Sequence, residues 1–264
     1  MTTELHADSI PDDRPRPGEG TPIDSGPHST GSPATRALGI AVLAGFAMLA
    51  YLGLAGTPED QVQGELVRLL YVHPQSATVA YLGCFFATTG SVMYLWKRSV
   101  WWDLVAHATA EIGAVFTAFA LITGMLWGRP SWGTYWVWDA RLTSTAMLML
   151  LLLGYLALRK LPGDPDVRAR QSAIVGLLLV PNVILVRQSV TWWRTLHQAP
   201  TLSLPGAQIE GLLLFTMMFG FAVFSGLFLW LTIHRFRVAW LARQVDELAV
   251  DEAITARIAE GTPR

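Results

Sequence analysis

Six runs of mostly apolar residues, at roughly 37–54, 74–95, 104–127, 142–158, 171–189 and 209–233, set the limits on what this chain can fold into. Each approaches the ~20 residues that an α-helix needs to cross a bilayer core. In that solvent the backbone must satisfy its own hydrogen bonds, and a helix does so within one segment. Only 15% of the 264 residues are charged, against about 25% in soluble domains. Polar surface for a water-soluble globule of this size is therefore lacking. The expected class is an all-α integral membrane protein with six transmembrane helices. The third run opens with His107 and Glu111, four residues apart. The fifth contains Pro181-Asn182, where a kink is expected because proline lacks the N–H that its turn requires.

Residues 1–36 are rich in Pro, Gly, Ser, Thr and Asp without apolar periodicity, the composition of a disordered tail. That stretch is too long and too proline-rich to open a signal peptide, so 37–54 is expected to stay as a membrane anchor. One set of flanks carries Arg36, Lys97, Arg98, Arg159, Lys160, Arg168, Arg170, Arg235, Arg237 and Arg243; the other carries Arg68, Arg129, Arg141, Arg187 and Arg194. The richer set belongs in the cytoplasm, which places both termini there. The expected organisation is a cytoplasmic tail at 1–36, a six-helix membrane domain at 37–240 and a cytoplasmic tail at 241–264. From about 245 the last tail alternates acids and apolar residues, as a short amphipathic helix does. The loops 55–73, 128–141 and 190–208 then share the non-cytoplasmic face.

Those loops hold the unusual chemistry. The stretch SWGTYWVWDARLT, residues 131–143, packs Trp132, Tyr135, Trp136, Trp138, Asp139 and Arg141 between two apolar runs. The first loop ends in VRLLYVHPQ, with Arg68 and His73; the third reads SVTWWRTLHQAP, with Arg194 and His197. Imidazole is a common axial ligand of haem iron. Indoles offer flat apolar walls, and guanidinium groups grip carboxylates in two-point contact. Two outer histidines, a tryptophan shelf, and Arg68, Arg129, Arg141 and Arg194 together suit a haem. Other readings of the same residues stay open: an interfacial aromatic belt, a quinone or lipid site, a b-type cytochrome subunit passing electrons, and a permease. His107 and Glu111 read as a helix-end pair near the headgroups.

Other features narrow the field. A net charge of −1 gives no case for nucleic acid. The single cysteine, Cys84, lies in an apolar run and excludes an internal disulfide or a CxxC site. No GxxxxGK[ST] occurs, so energy for transport has to come from a partner.

The string WGTYWVWDARLTS resembles the tryptophan-rich WWD motif of haem-handling membrane proteins in cytochrome c biogenesis. Within that group, WDARLTS is similar to the haem-delivery protein C family (CcmC), as are RLLYVHP at 68–74, IGAVFTAFALITGMLWGRP at 112–130 and SVTWWRTLHQ at 189–198. The resemblance covers about residues 37–240. It implies a multi-pass protein of the bacterial cytoplasmic (inner) membrane. Its role would be to hold haem b at the periplasmic surface and deliver it to a periplasmic haem chaperone (CcmE). It would act beside an ABC-type complex (CcmA, CcmB) and a small single-span subunit (CcmD). The resemblance implies a delivery subunit rather than an enzyme, with at most an assisting part in covalent haem attachment to the chaperone. It also implies His73 and His197 as axial ligands, with Trp132, Trp136, Trp138, Asp139, Arg68 and Arg141 as haem-binding residues. Two positions depart from the family pattern: Pro74 follows His73 directly, and Thr145 stands where glutamate is expected.

Overall fold

A computed structural model describes residues 26–197, 202–203, 206–207 and 209–261. Most of the leading tail, residues 1–25, lies outside them. The described chain is helical apart from its connections and one antiparallel pair of two-residue strands, β1 (Leu202–Ser203) and β2 (Gly206–Ala207).

Six segments are long and apolar enough to cross a membrane: Pro33–Gly56, Glu65–Lys97, Val100–Trp132, Ala140–Leu158, Pro165–Trp192 and Gly211–Glu260. Large apolar side chains such as Ile40, Leu43, Val115 and Leu150 point outward, the pattern of a bundle whose solvent is lipid rather than water. The first helix, α1 (Pro33–Tyr51), begins four residues before the apolar run. Ser32 caps it by accepting the Thr35 N–H (3.3 Å), and Thr35 Oγ1 accepts the Ser32 N–H (2.8 Å). Pro33 fits the first turn, where its missing N–H costs nothing. A π-helical turn, Leu52–Gly56, ends this span.

A 3-10 turn, Glu65–Tyr71, leads into α2 (His73–Lys97), which pairs with α3 (Val100–Trp132). They cross at Gly83 and Gly113, where a Cβ on Gly83 would stand 2.7 Å from the Gly113 Cα. Small residues let membrane helices approach this closely. The fourth span is α4 (Ala140–Leu158). The fifth divides into α5 (Pro165–Gly176) and α6 (Leu179–Trp192). The break falls at 177–178, one turn before the kink expected at Pro181-Asn182. Proline at 181 both lacks the N–H for the Leu177 carbonyl and crowds it, so the distortion appears four residues earlier. Nearby, the Gly176 carbonyl accepts a hydrogen bond from Thr88 Oγ1 (2.8 Å).

The last helix, α7 (Gly211–Gly261), runs unbroken for 51 residues. The expected amphipathic tail helix is thus the continuation of the sixth span. No Gly or Pro occurs between 227 and 260 to stop it.

Alternation of the six spans gives the bundle two ends. One end, termed inner for the arginine-rich flanks it carries, holds Arg98, Ser99 and residues 159–164; the other, termed outer, holds 57–64, 133–139 and 193–197. Ion pairs tie the inner half together. Arg159 Nη1 and Nη2 donate to Asp103 Oδ1 and Oδ2 (2.6 and 2.7 Å). Arg235 Nε and Nη2 donate to Glu111 Oε2 and Oε1 (2.7 and 2.8 Å). His107 lies 3.5 Å from Glu111. The expected His107–Glu111 pair is therefore part of a wider clasp joining α3 to α4 and α7.

Candidate functional site

A cavity of about 400 Å³ opens among the outer ends of α2, α3, α4, α6 and α7, within the usual range for small-molecule sites. His73 occupies the first position of α2, where Pro74 in the first turn is compatible with the helix start. Its Nδ1 lies 3.1 Å from Thr123 Oγ1 on α3. The Thr123 hydroxyl donates its own proton to the Phe119 and Ala120 carbonyls (2.9 and 3.2 Å). It therefore accepts from His73 Nδ1–H, which leaves Nε2 with its lone pair, the form a metal takes. Gly124 makes room: a Cβ there would lie 3.0 Å from His73 Cε1. Trp127 packs edge-on to His73, with centroids 5.9 Å apart. Its Nε1–H donates to Gln63 Oε1 (3.0 Å). Gln63 is held in turn by the Asp60 turn, where Asp60 Oδ1 accepts the Gln63 and Val62 N–H groups (2.7 and 2.9 Å). Those bonds keep the Asp60 carboxyl below its ordinary pKa.

His197 arrives on the third outer loop. The ring centroids of His73 and His197 are 6.4 Å apart, with planes inclined by 35°. An imidazole nitrogen lies about 1.2 Å from its ring centre, given ring bonds near 1.33 Å. With metal–nitrogen bonds of about 2 Å, imidazoles on opposite sides of one metal have centroids about 6.3 Å apart. The observed centroid spacing is close to that value. Trp132 packs against His197 with centroids 6.1 Å apart, so each histidine has its own indole.

The remaining candidates separate. Trp132, Trp136 and Arg141 line the cavity. The buried Trp136 Nε1–H has no hydrogen-bond partner. Trp138 is 80% exposed and meets Trp136 edge-to-face at 5.4 Å, from outside the cavity. Asp139 caps α4: its Oδ1 accepts the Leu142 N–H (2.8 Å) and its Oδ2 accepts the Leu196 N–H (3.2 Å). One carboxylate thereby joins the tryptophan stretch to the loop bearing His197.

Arg68 is not brought to the cavity. Its Nε donates to Glu65 (2.9 Å) and its Nη1 to the carbonyl and hydroxyl of Thr57 (both 2.7 Å). It borders a separate apolar groove of about 660 Å³ lined by α1, α3 and α7. Arg129 stacks over Tyr135 and donates to the Gly133 carbonyl. Arg194 is not in the cavity wall. The second cavity arginine is Arg187 on α6, which the sequence marks as a flank charge and a polar group near the fifth span rather than as a haem contact. The helical phase of VRQSVT held the signal: positions 187, 188, 190 and 191 share one face, and all four line the cavity.

Comparison with known proteins identifies relatives over most of the chain. The profile of the family described as heme exporter protein C matches residues 29–251. Heme exporter protein C of Bradyrhizobium diazoefficiens is 38% identical over 197 residues, 74% of this chain and 75% of the relative. The protein of the same name from Haemophilus influenzae is 38% identical over 195 residues, 72% and 77% of the two chains. A putative cytochrome c biosynthesis ccmC-like mitochondrial protein of Arabidopsis thaliana is 36% identical over 218 residues, 83% and 81%.

Proposed function

The chain belongs to the heme exporter protein C family (CcmC), membrane proteins of haem handling in cytochrome c biogenesis, and from that premise we propose that it holds haem b between His73 and His197 and delivers it to a periplasmic haem chaperone (CcmE). The observation that carries this reading is the 6.4 Å spacing of the two imidazoles across one cavity.

The chain's own residues divide the task. Thr123 fixes the tautomer and aim of His73. Trp127 and Trp132 back the two imidazoles, and Trp136 adds a flat wall. Arg141 meets a carboxylate of the porphyrin edge. Asp139 is a positioning residue for the His197 loop, and Trp138 extends the aromatic shelf from outside the cavity through its edge contact with Trp136. The lysine- and arginine-rich flanks lie at the inner end, which supports a cytoplasmic position for that end and both termini and a periplasmic one for the cavity, in the bacterial inner membrane. Residues 1–36 and 241–264 then flank the membrane domain on the cytoplasmic side. The ABC-type subunits (CcmA, CcmB) and a single-span subunit (CcmD) complete the assembly, and the role is delivery rather than catalysis.

Purified protein loaded with haem should show the low-spin spectrum of two imidazole ligands. His73→Ala and His197→Ala should each abolish that spectrum and chaperone loading. An unchanged spectrum in either variant would remove that histidine from the iron.

A further inference from the structure

Arg141 and Arg187 share the cavity wall with Tyr81. The Tyr81 hydroxyl interacts with Arg141 and lies in the field of Arg187. Arg187 sits five residues before the end of α6, about 7 Å inside the outer end at 1.5 Å per residue. Among the described residues, every recorded arginine ion pair lies elsewhere: Arg68–Glu65, Arg159–Asp103, Arg235–Glu111 and Arg243–Glu247. Among the described residues, neither cavity guanidinium has a carboxylate in ion-pair contact. An unmatched cation inside a membrane span is costly and marks a site that an anion completes. Beside Arg187, the same wall offers Gln188 and Thr191 from α6 and Thr145 from α4, neutral groups that can donate hydrogen bonds to oxygen anions.

Resting on the haem reading above, we infer that Arg187 acts with Arg141 as a clamp for the two carboxylates of the porphyrin, so that the protein selects its cargo by acid side chains as well as by iron. The arginines come from the neighbouring helices α4 and α6 and line the cavity together with Tyr81. The propionate edge therefore turns toward Tyr81, and the apolar edge toward Trp132 and Trp136. A charge-assisted hydrogen bond is the strong kind, and a guanidinium fork matches a carboxylate.

The test is a pair of titrations of the purified full-length protein in detergent, with iron protoporphyrin IX and with its dimethyl ester. The wild type should favour the free acid by about 10- to 100-fold. Arg187→Gln should cut that preference by about 10-fold while the two-imidazole spectrum persists, and Arg187→Lys should restore part of it. Equal wild-type affinities for acid and ester would overturn the inference without any variant. So would an Arg187→Gln protein that keeps the full preference, as expected if Arg187 only extends toward the lipid headgroups. Failure of the haem reading looks different: His73→Ala and His197→Ala would leave the iron spectrum unchanged.

Discussion

Two arginines at the inner end of this bundle and two in the outer cavity meet opposite circumstances. At the inner end, Arg159 and Arg235 each meet a carboxylate through two hydrogen bonds. Burial by itself would lower the Arg159 pKa, but hydrogen bonds and charge from Asp103 and Tyr155 outweigh it and raise the value. At the outer end, Arg141 and Arg187 line a cavity with no carboxylate opposite among the described residues. The residue type is the same, and its counter-charge decides its use. A matched guanidinium joins helices; an unmatched one is open to charge brought from outside, as proposed above.

The largest expected effect breaks the matched end. Arg159→Met leaves Asp103, with only 9% of its side chain exposed, buried without its partner. This should cost ~3–5 kcal/mol, read as a large fall in Tm in detergent. Adding Asp103→Leu should recover most of the loss, because an apolar pair replaces the ionic one. The next effect sharpens the contrast. Arg141→Met strands no carboxylate, so stability should fall far less than in Arg159→Met, by ~1 kcal/mol for the neutral contact with Tyr81 that it removes. Haem affinity, read by absorption titration, should instead fall by ~10- to 100-fold. Equal losses of Tm in Arg159→Met and Arg141→Met would erase the distinction between the ends. The smallest effect tests the packing beside His73. Gly124→Ala places a Cβ 3.0 Å from the ring, which must yield by a few tenths of an ångström. The absorption bands should shift with little loss of haem; an unmoved spectrum would mean that the ring is not seated against α3.

Much of this contrast could be read in the chain. The six apolar runs announced the spans, and His73, His197, Trp132, Trp136 and Arg141 meet at one cavity. What stayed hidden depended on direction rather than on residue type. Arg68 lies five residues from His73 in sequence, yet the 3-10 turn sends its side chain to Thr57 and the lipid-facing groove. Trp138 alternates away from Trp136 and faces outward. Arg187 looked like a flank charge until helical phase put it on the cavity face of α6. The clasp at Glu111 needed Arg235 from a helix more than 100 residues away, a pairing that no local pattern records. The early start of α1 was legible in principle, because Ser32, Pro33 and Thr35 spell a capped N-terminus.

Asp139 serves two loops with one side chain, closing the first turn of α4 with one oxygen and holding Leu196 with the other. His197 is the next residue after Leu196, and Arg141 lies two positions beyond Asp139. Any outward swing of the imidazole therefore pulls on the seat of the guanidinium. On the haem reading proposed above, the imidazole and the guanidinium contacts with the cargo are linked through this one side chain.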